Sequence, residues 1–169
     1  MPSRYLYWLC RFSVPIFSRR WLDQNNPGAS DVERLRRQGP VLQVEIAIPT
    51  DLATALQASQ TPIPPPHVGF ALIDTGASIT SVDEQVLIGL GMNPTSVATI
   101  STPSAVNVQQ PVYACILSFP GTPLPPIPFN EVVASSLAAL GCSALIGRDI
   151  LAFCQLVYNG PEGFWTLAF

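Results

Sequence analysis

The stretch Phe70-Ala71-Leu72-Ile73-Asp74-Thr75-Gly76-Ala77-Ser78 carries a single carboxylate to the end of an apolar run, and a Thr-Gly turn follows directly. Burying a carboxylate is costly unless it is paired or hydrogen-bonded. The small residues after it let the backbone turn tightly and let another segment approach closely. Asp74 therefore calls for a chemical reason, and the rest of the chain is read outward from it.

A second unusual stretch lies about 70 residues on, where Ala144-Leu145-Ile146 runs into Gly147-Arg148-Asp149 and then into the apolar Ile150-Leu151. Arg148 is the only cation after position 37. Its apolar flanks predict partial burial, and a buried guanidinium needs fixed acceptors. Backbone carbonyls, Asp83 and the backbone near Ser78 are the candidates, in a supporting role.

Between and around these stretches the pattern is that of many short strands. Leu42, Val44, Ile46 and Ile48 alternate with Gln43 and Glu45, which predicts a half-buried strand over 41–48. His67 to Asp74 is continuously apolar, as in a strand covered on both faces. Further strands are expected over 79–82, 95–103, 105–119, 129–134, 155–158 and 164–169. The pair around Thr102-Pro103-Ser104 forms a hairpin. Helices are few: 31–37 capped by Ser30 or Asp31, and 83–90 with Asp83 or Glu84 at its start and Gly91 at its end. Polar residues ending in Pro62-Ile63-Pro64-Pro65-Pro66 make 50–66 a long exposed loop, with His67 as a loop histidine. The sum is an all-β domain over residues 39–169 with one or two short helices.

Residues 1–38 differ in kind. The chain has no lysine, and seven of its eight arginines precede position 38, whereas eight of its eleven acids follow it. A basic extension thus precedes an acidic domain. Arg11 interrupts the aromatic run from Tyr5 to Phe17, so a poorly ordered extension is preferred to a membrane-surface or targeting segment. A hydrophobic content of 48% against 11% charge excludes a disordered or nucleic-acid-binding chain. No apolar run is long enough for a membrane-spanning helix. Cys10, Cys115, Cys142 and Cys154 show no Cys-x-x-Cys spacing and there is one histidine, so no metal or other cofactor is expected. Free thiols fit a reducing compartment, and a cytoplasmic location is expected. A Cys142–Cys154 bridge remains the alternative. The lone histidine also argues against a Ser-His-Asp or Cys-His site.

Taken in order, Leu72-Ile73-Asp74-Thr75-Gly76-Ala77-Ser78 and Leu145-Ile146-Gly147-Arg148-Asp149-Ile150-Leu151 resemble the two signature blocks of the retropepsin-like aspartic proteases. The resemblance covers most of 39–169. It implies a retropepsin-like closed β-barrel, the half of an acid protease, active as a C2 homodimer on polypeptide substrates cut between apolar residues. Asp74 would be catalytic, one from each chain. Thr75, Gly76, Ala77, Arg148 and Asp149 would support the site. Leu72, Leu145 and a flap at Ser101, Thr102, Pro103 and Ser104 would meet substrate. The 164–169 strand would pair with its copy in a dimer sheet. Two departures stand out. Ser78 occupies a position where viral members place an acid, and the flap segment lacks glycines. A protease-fold dimerisation or peptide-binding module without turnover is the alternative function. A precursor activated by loss of residues 1–38 is compatible with the first.

Overall fold

The computed structural model describes residues 15–20, 30–102 and 105–169. The segment from Tyr5 to Val14 and Cys10 lie outside them, as do Pro103 and Ser104.

Ten strands and four α-helices are formed among the described residues, so the β-rich expectation holds while the helix number is higher than expected. The strands are β1 (Ile16–Arg20), β2 (Val41–Ala47), β3 (His67–Ile73), β4 (Ser81–Asp83), β5 (Ser96–Thr102), β6 (Ala105–Ser118), β7 (Ile127–Ser135), β8 (Ala144–Ile146), β9 (Gln155–Asn159) and β10 (Phe164–Ala168). The helices are α1 (Asp31–Gln38), α2 (Thr50–Ala58), α3 (Glu84–Gly89) and α4 (Arg148–Leu151).

Seven strands join in the order β2-β3-β8-β4-β7-β6-β5. β2 also pairs with the end of β6, through Glu45↔Ser118, Ile46↔Leu117 and Ala47↔Ile116, which folds the sheet back on itself. Closure by three residue pairs, with β5 left outside, makes a curled sheet and not the regular barrel expected. One core fills it: the alternation in β2 delivers Leu42, Val44 and Ile46 inward, where they meet Ala71, Ile73, Val82, Ala144 and Ile146.

The predicted helices 31–37 and 83–90 appear as α1 and α3, each with a side-chain cap. Ser30 Oγ accepts the Glu33 N–H at 3.3 Å, and Asp83 Oδ1 accepts the Gln85 N–H at 3.0 Å. The expected loop over 50–66 is corrected by α2. Leu52, Ala53 and Leu56 share one face and pack on the core, a helical spacing that the polar residues between them obscured. Only the residues after it form an irregular connection. His67 is likewise no loop residue. It opens β3, half-buried, with Nε2 3.0 Å from Ser143 Oγ. β3 itself is covered on both faces only near its end, since Val68 and Phe70 are exposed.

The extension is corrected more deeply. β1 pairs with β10 from Ile16↔Ala168 to Arg20↔Phe164, and β9 pairs with the other edge of β10. Leu35 of α1 is fully buried and the Tyr158 hydroxyl donates to its carbonyl at 3.1 Å. Phe17 meets Trp165 edge-on at 5.3 Å between ring centres. Gly163 (φ +66°) fits where a Cβ would lie 2.5 Å from the backbone of Asp31 and Val32. Residues 15–20 and 30–38 thus belong to the folded domain, and its boundary is not at residue 38. The same pairing removes the expected self-pairing of the C-terminal strand, because both edges of β10 are already used within one chain.

Candidate active site

Asp74 lies just beyond β3 because β3 and β8 run parallel, with Ala71↔Ala144, Leu72↔Leu145 and Ile73↔Ile146 in register. That pairing sets the two signature blocks side by side at one end of the sheet. The Asp74 N–H donates to Ile146 O at 3.0 Å, which continues the ladder for one residue before the chain turns. The Ala77 N–H then donates to Asp74 O at 3.2 Å, and the Gly76 N–H donates to Asp74 Oδ1 at 2.8 Å. The half-buried carboxylate is therefore aimed by its own turn. Among the described residues that N–H is its one side-chain partner.

Arg148 fixes the turn from outside. Its Nη1 donates to Thr75 O at 2.8 Å and Gly76 O at 3.1 Å, its Nη2 donates to Ser78 Oγ at 2.8 Å, and its N–H donates to Ala77 O at 3.0 Å. Each residue from Thr75 to Ser78 is held by one arginine. The carbonyls and the Ser78 region were foreseen as acceptors. Asp83 is not one of them: its Oδ2 accepts the Leu137 N–H at 2.8 Å while its other oxygen caps α3. Nor is Arg148 buried, since it is exposed on the outer side of the turn. Ser78, standing where an acid was absent, supplies a neutral oxygen instead.

A second clamp lies beneath the first. The Thr80 N–H and Oγ1 each donate to Asp149, to Oδ2 and Oδ1 respectively, both at 2.8 Å. Thr80 Oγ1 in turn accepts the Gly147 N–H at 3.1 Å, and the Ile150 N–H donates to Asp149 Oδ1 at 3.0 Å. Thr80 is 0% exposed. Gly147 has no room for a side chain, because a Cβ there would lie 2.5 Å from Ile79 C and 2.8 Å from Thr80 N. Asp149, named as a support for the site, is hydrogen-bonded to Thr80, which the sequence did not single out. A buried threonine next to serine and isoleucine carries no sequence signal of its own.

Leu72 and Leu145 are cross-strand neighbours, both half-buried, on the face of β3 that Phe70 also uses. The hairpin is formed by β5 and β6, from Ser96↔Val112 to Thr102↔Ala105. Over 105–111 β6 has no partner but β5, so the hairpin projects beyond the sheet as a two-stranded arm. Ser101 Oγ accepts the Asn107 N–H at 3.2 Å, and Asn107 takes φ +56° at the irregularity in the ladder. Asparagine is among the few residues that tolerate this conformation. Thr102 closes the ladder, while the flap residues Pro103 and Ser104 fall outside the described residues.

Cys115, Cys142 and Cys154 are free thiols, so the alternative Cys142–Cys154 bridge is not formed. Burial pushes the Cys115 thiol up to about 12. Burial and the neighbouring Asp83 raise that of Cys142. Among the described residues no group of three or more His, Cys, Asp or Glu side chains is placed to hold a metal ion, and no helix is long and apolar enough to cross a membrane. In comparison with known proteins, the chain matches no family model and no curated protein sequence. What class of protein this is thus rests on its own residues: a mostly β domain carrying one loop-held aspartate.

Proposed function

We propose that the chain is an aspartic endopeptidase whose catalytic pair is one Asp74 from each of two copies. The observation that supports this most is the Asp74 turn itself. One carboxylate oxygen is oriented by the Gly76 N–H, and the loop is held by Arg148 on one side and by Thr80–Asp149 on the other. Such a group is pre-positioned, and a reacting carboxylate must be held in place to be effective. The chain has one Asp-Thr-Gly, so the second carboxylate comes from a second chain about a two-fold axis. That pairing uses a surface other than the edges of β10, which are filled.

Two carboxylates about 3 Å apart repel by roughly 5 kcal/mol at an effective dielectric of ~20, which keeps one of them protonated over a wide pH range. The ionised one takes a proton from the water between them as the water oxygen attacks the peptide carbonyl. The protonated one gives its proton to the carbonyl oxygen. Collapse of the tetrahedral intermediate breaks the C–N bond and returns a proton to the departing amine. The pair then titrates as a unit. Thr75 and Gly76, both exposed, border the position of the second chain and the peptide. Leu72 and Leu145 offer apolar contact beside them.

The test is cleavage of an apolar peptide library between pH 4 and 7, with sedimentation to follow the dimer and Asp74→Asn as control. Dimer-dependent cleavage, blocked by a statine-type inhibitor and reduced at least about 100-fold in Asp74→Asn, is expected. Equal activity of Asp74→Asn would sink the proposal. Peptide binding without cleavage would favour a non-catalytic module.

A further inference from the structure

Two pentads of the chain are near copies: Thr61-Pro62-Ile63-Pro64-Pro65 and Thr122-Pro123-Leu124-Pro125-Pro126. The fold treats them differently. In the second, Leu124 is 6% exposed and belongs to the core, and Thr122 ties the segment down through its hydroxyl, which donates to Phe119 O at 2.7 Å. In the first, Ile63 is 49% exposed and stays outside the core. Among the described residues no hydrogen bond involves residues 62–66, which lie between α2 and β3 in neither helix nor strand.

Local sterics define the shape of that segment. Proline fixes φ near −65° at 62, 64, 65 and 66. A following proline drives residues 61, 63, 64 and 65 into extended ψ. Together these set a polyproline II helix, with three residues per turn and no internal hydrogen bonds. Its three ridges are then 62/65, 63/66 and 61/64. Of residues 61–66 only Pro64 is half-buried, so one ridge leans on the protein at that point while Pro62, Pro65, Ile63 and Pro66 all face solvent.

We infer that Thr61–Pro66 is a docking segment for a partner that reads polyproline II helices with an aromatic-lined groove. The rigid helix is formed before binding, so little conformational entropy is lost on docking. The segment itself is uncharged. No lysine or arginine occurs between Arg37 and Arg148 and no acid between Asp51 and Asp74, so the groove recognises an uncharged helix. Ile63, flanked by prolines and left out of its own core, is the side chain that sets register. This inference stands independently of the peptidase proposal.

The experiment is calorimetric titration of the full chain into purified WW, EVH1 and SH3 domains, with poly-L-proline as competitor. Two variants accompany it: Pro62→Ala with Pro65→Ala, and Pro125→Ala with Pro126→Ala, whose prolines are also exposed but lie in the pentad that Leu124 anchors to the core. The expected result is binding to an aromatic-groove domain with Kd below about 1 mM, competed by poly-L-proline. Affinity should fall at least tenfold in the first variant and stay within twofold in the second. Circular dichroism confirms that both variants fold. Absence of binding by all three domain classes overturns the inference, and so does equal binding by the first variant.

Discussion

Replacing Thr80 by valine keeps the shape of a fully buried side chain and removes one oxygen. That oxygen donates to Asp149 Oδ1 and accepts the Gly147 N–H. A hydrogen bond to a charged group is worth about 1.5 to 3 kcal/mol, and leaving a buried N–H without an acceptor costs about 1 to 3 kcal/mol. Both losses come from removing one atom, and together they amount to about 2.5 to 6 kcal/mol. For a chain of this size that lowers the melting temperature by about 5 to 24 °C. Thr80→Ser keeps the hydroxyl and should lose only about 1 kcal/mol, for one buried methyl. The assay is thermal and urea unfolding of wild type, both variants, Asp149→Asn and the Thr80→Val/Asp149→Asn double variant. A coupling energy above about 1 kcal/mol is expected from contacting residues. A Thr80→Val protein melting within about 2 °C of wild type would refute the clamp as the element that secures the Asp74 loop. If the proposed peptidase activity holds, kcat should fall more than KM rises, since Thr80 is fully buried beneath the loop.

Gly147→Ala forces a methyl into backbone of Ile79 and Thr80 that has no flexible end to move, and should destabilise by at least about 1 to 3 kcal/mol, read by urea unfolding. A chain lacking residues 1–38 loses β1 and α1 and retains Trp165 as its only tryptophan. Its emission should be red-shifted and its melting point lowered, since loss of the buried Leu35 side chain alone is worth about 2 to 5 kcal/mol. A blue emission with unchanged melting, together with higher activity, would restore the precursor idea. Cys115 should resist thiol reagents at pH 8 until the protein is unfolded. Its folded pKa, about 12, lies above the unfolded value, so its contribution to stability is full below about pH 8.5 and is lost as pH rises from there. The urea midpoint should therefore fall in that window, with Cys142 and Cys154, also raised by burial, acting in the same direction.

What could be read from the residues was whatever short-range chemistry determines. The caps at Ser30 and Asp83, the alternation in β2 and the hairpin around position 103 are decided within a few neighbours. The grouping of Asp74 with Arg148 came from the resemblance of the two blocks to a known pair and from the scarcity of cations. Thr80 escaped because its importance is a matter of depth, and depth depends on β4, β7 and β8 meeting around it. α2 escaped because its apolar face, Leu52, Ala53 and Leu56, is short and followed by five residues of proline and isoleucine that dominate the segment's appearance. β1 escaped because arginine and aromatic residues at 16–20 resemble a tail until a partner strand is supplied. Nothing within 20 residues of β1 shows that its partner is β10.

The pairing of β1 with β10 also bears on how the domain is made. Ser18 and Thr166, which meet across that ladder, are 148 residues apart in sequence. Loop closure of that length must be met before the contact rewards it, and domains rich in such pairings fold slowly. During synthesis the first strand waits while nearly the whole chain emerges, holding Ile16 and Phe17 without their neighbours. The three-stranded layer that carries Trp165 is thus expected to assemble late, with the preceding stage the one most open to misassociation.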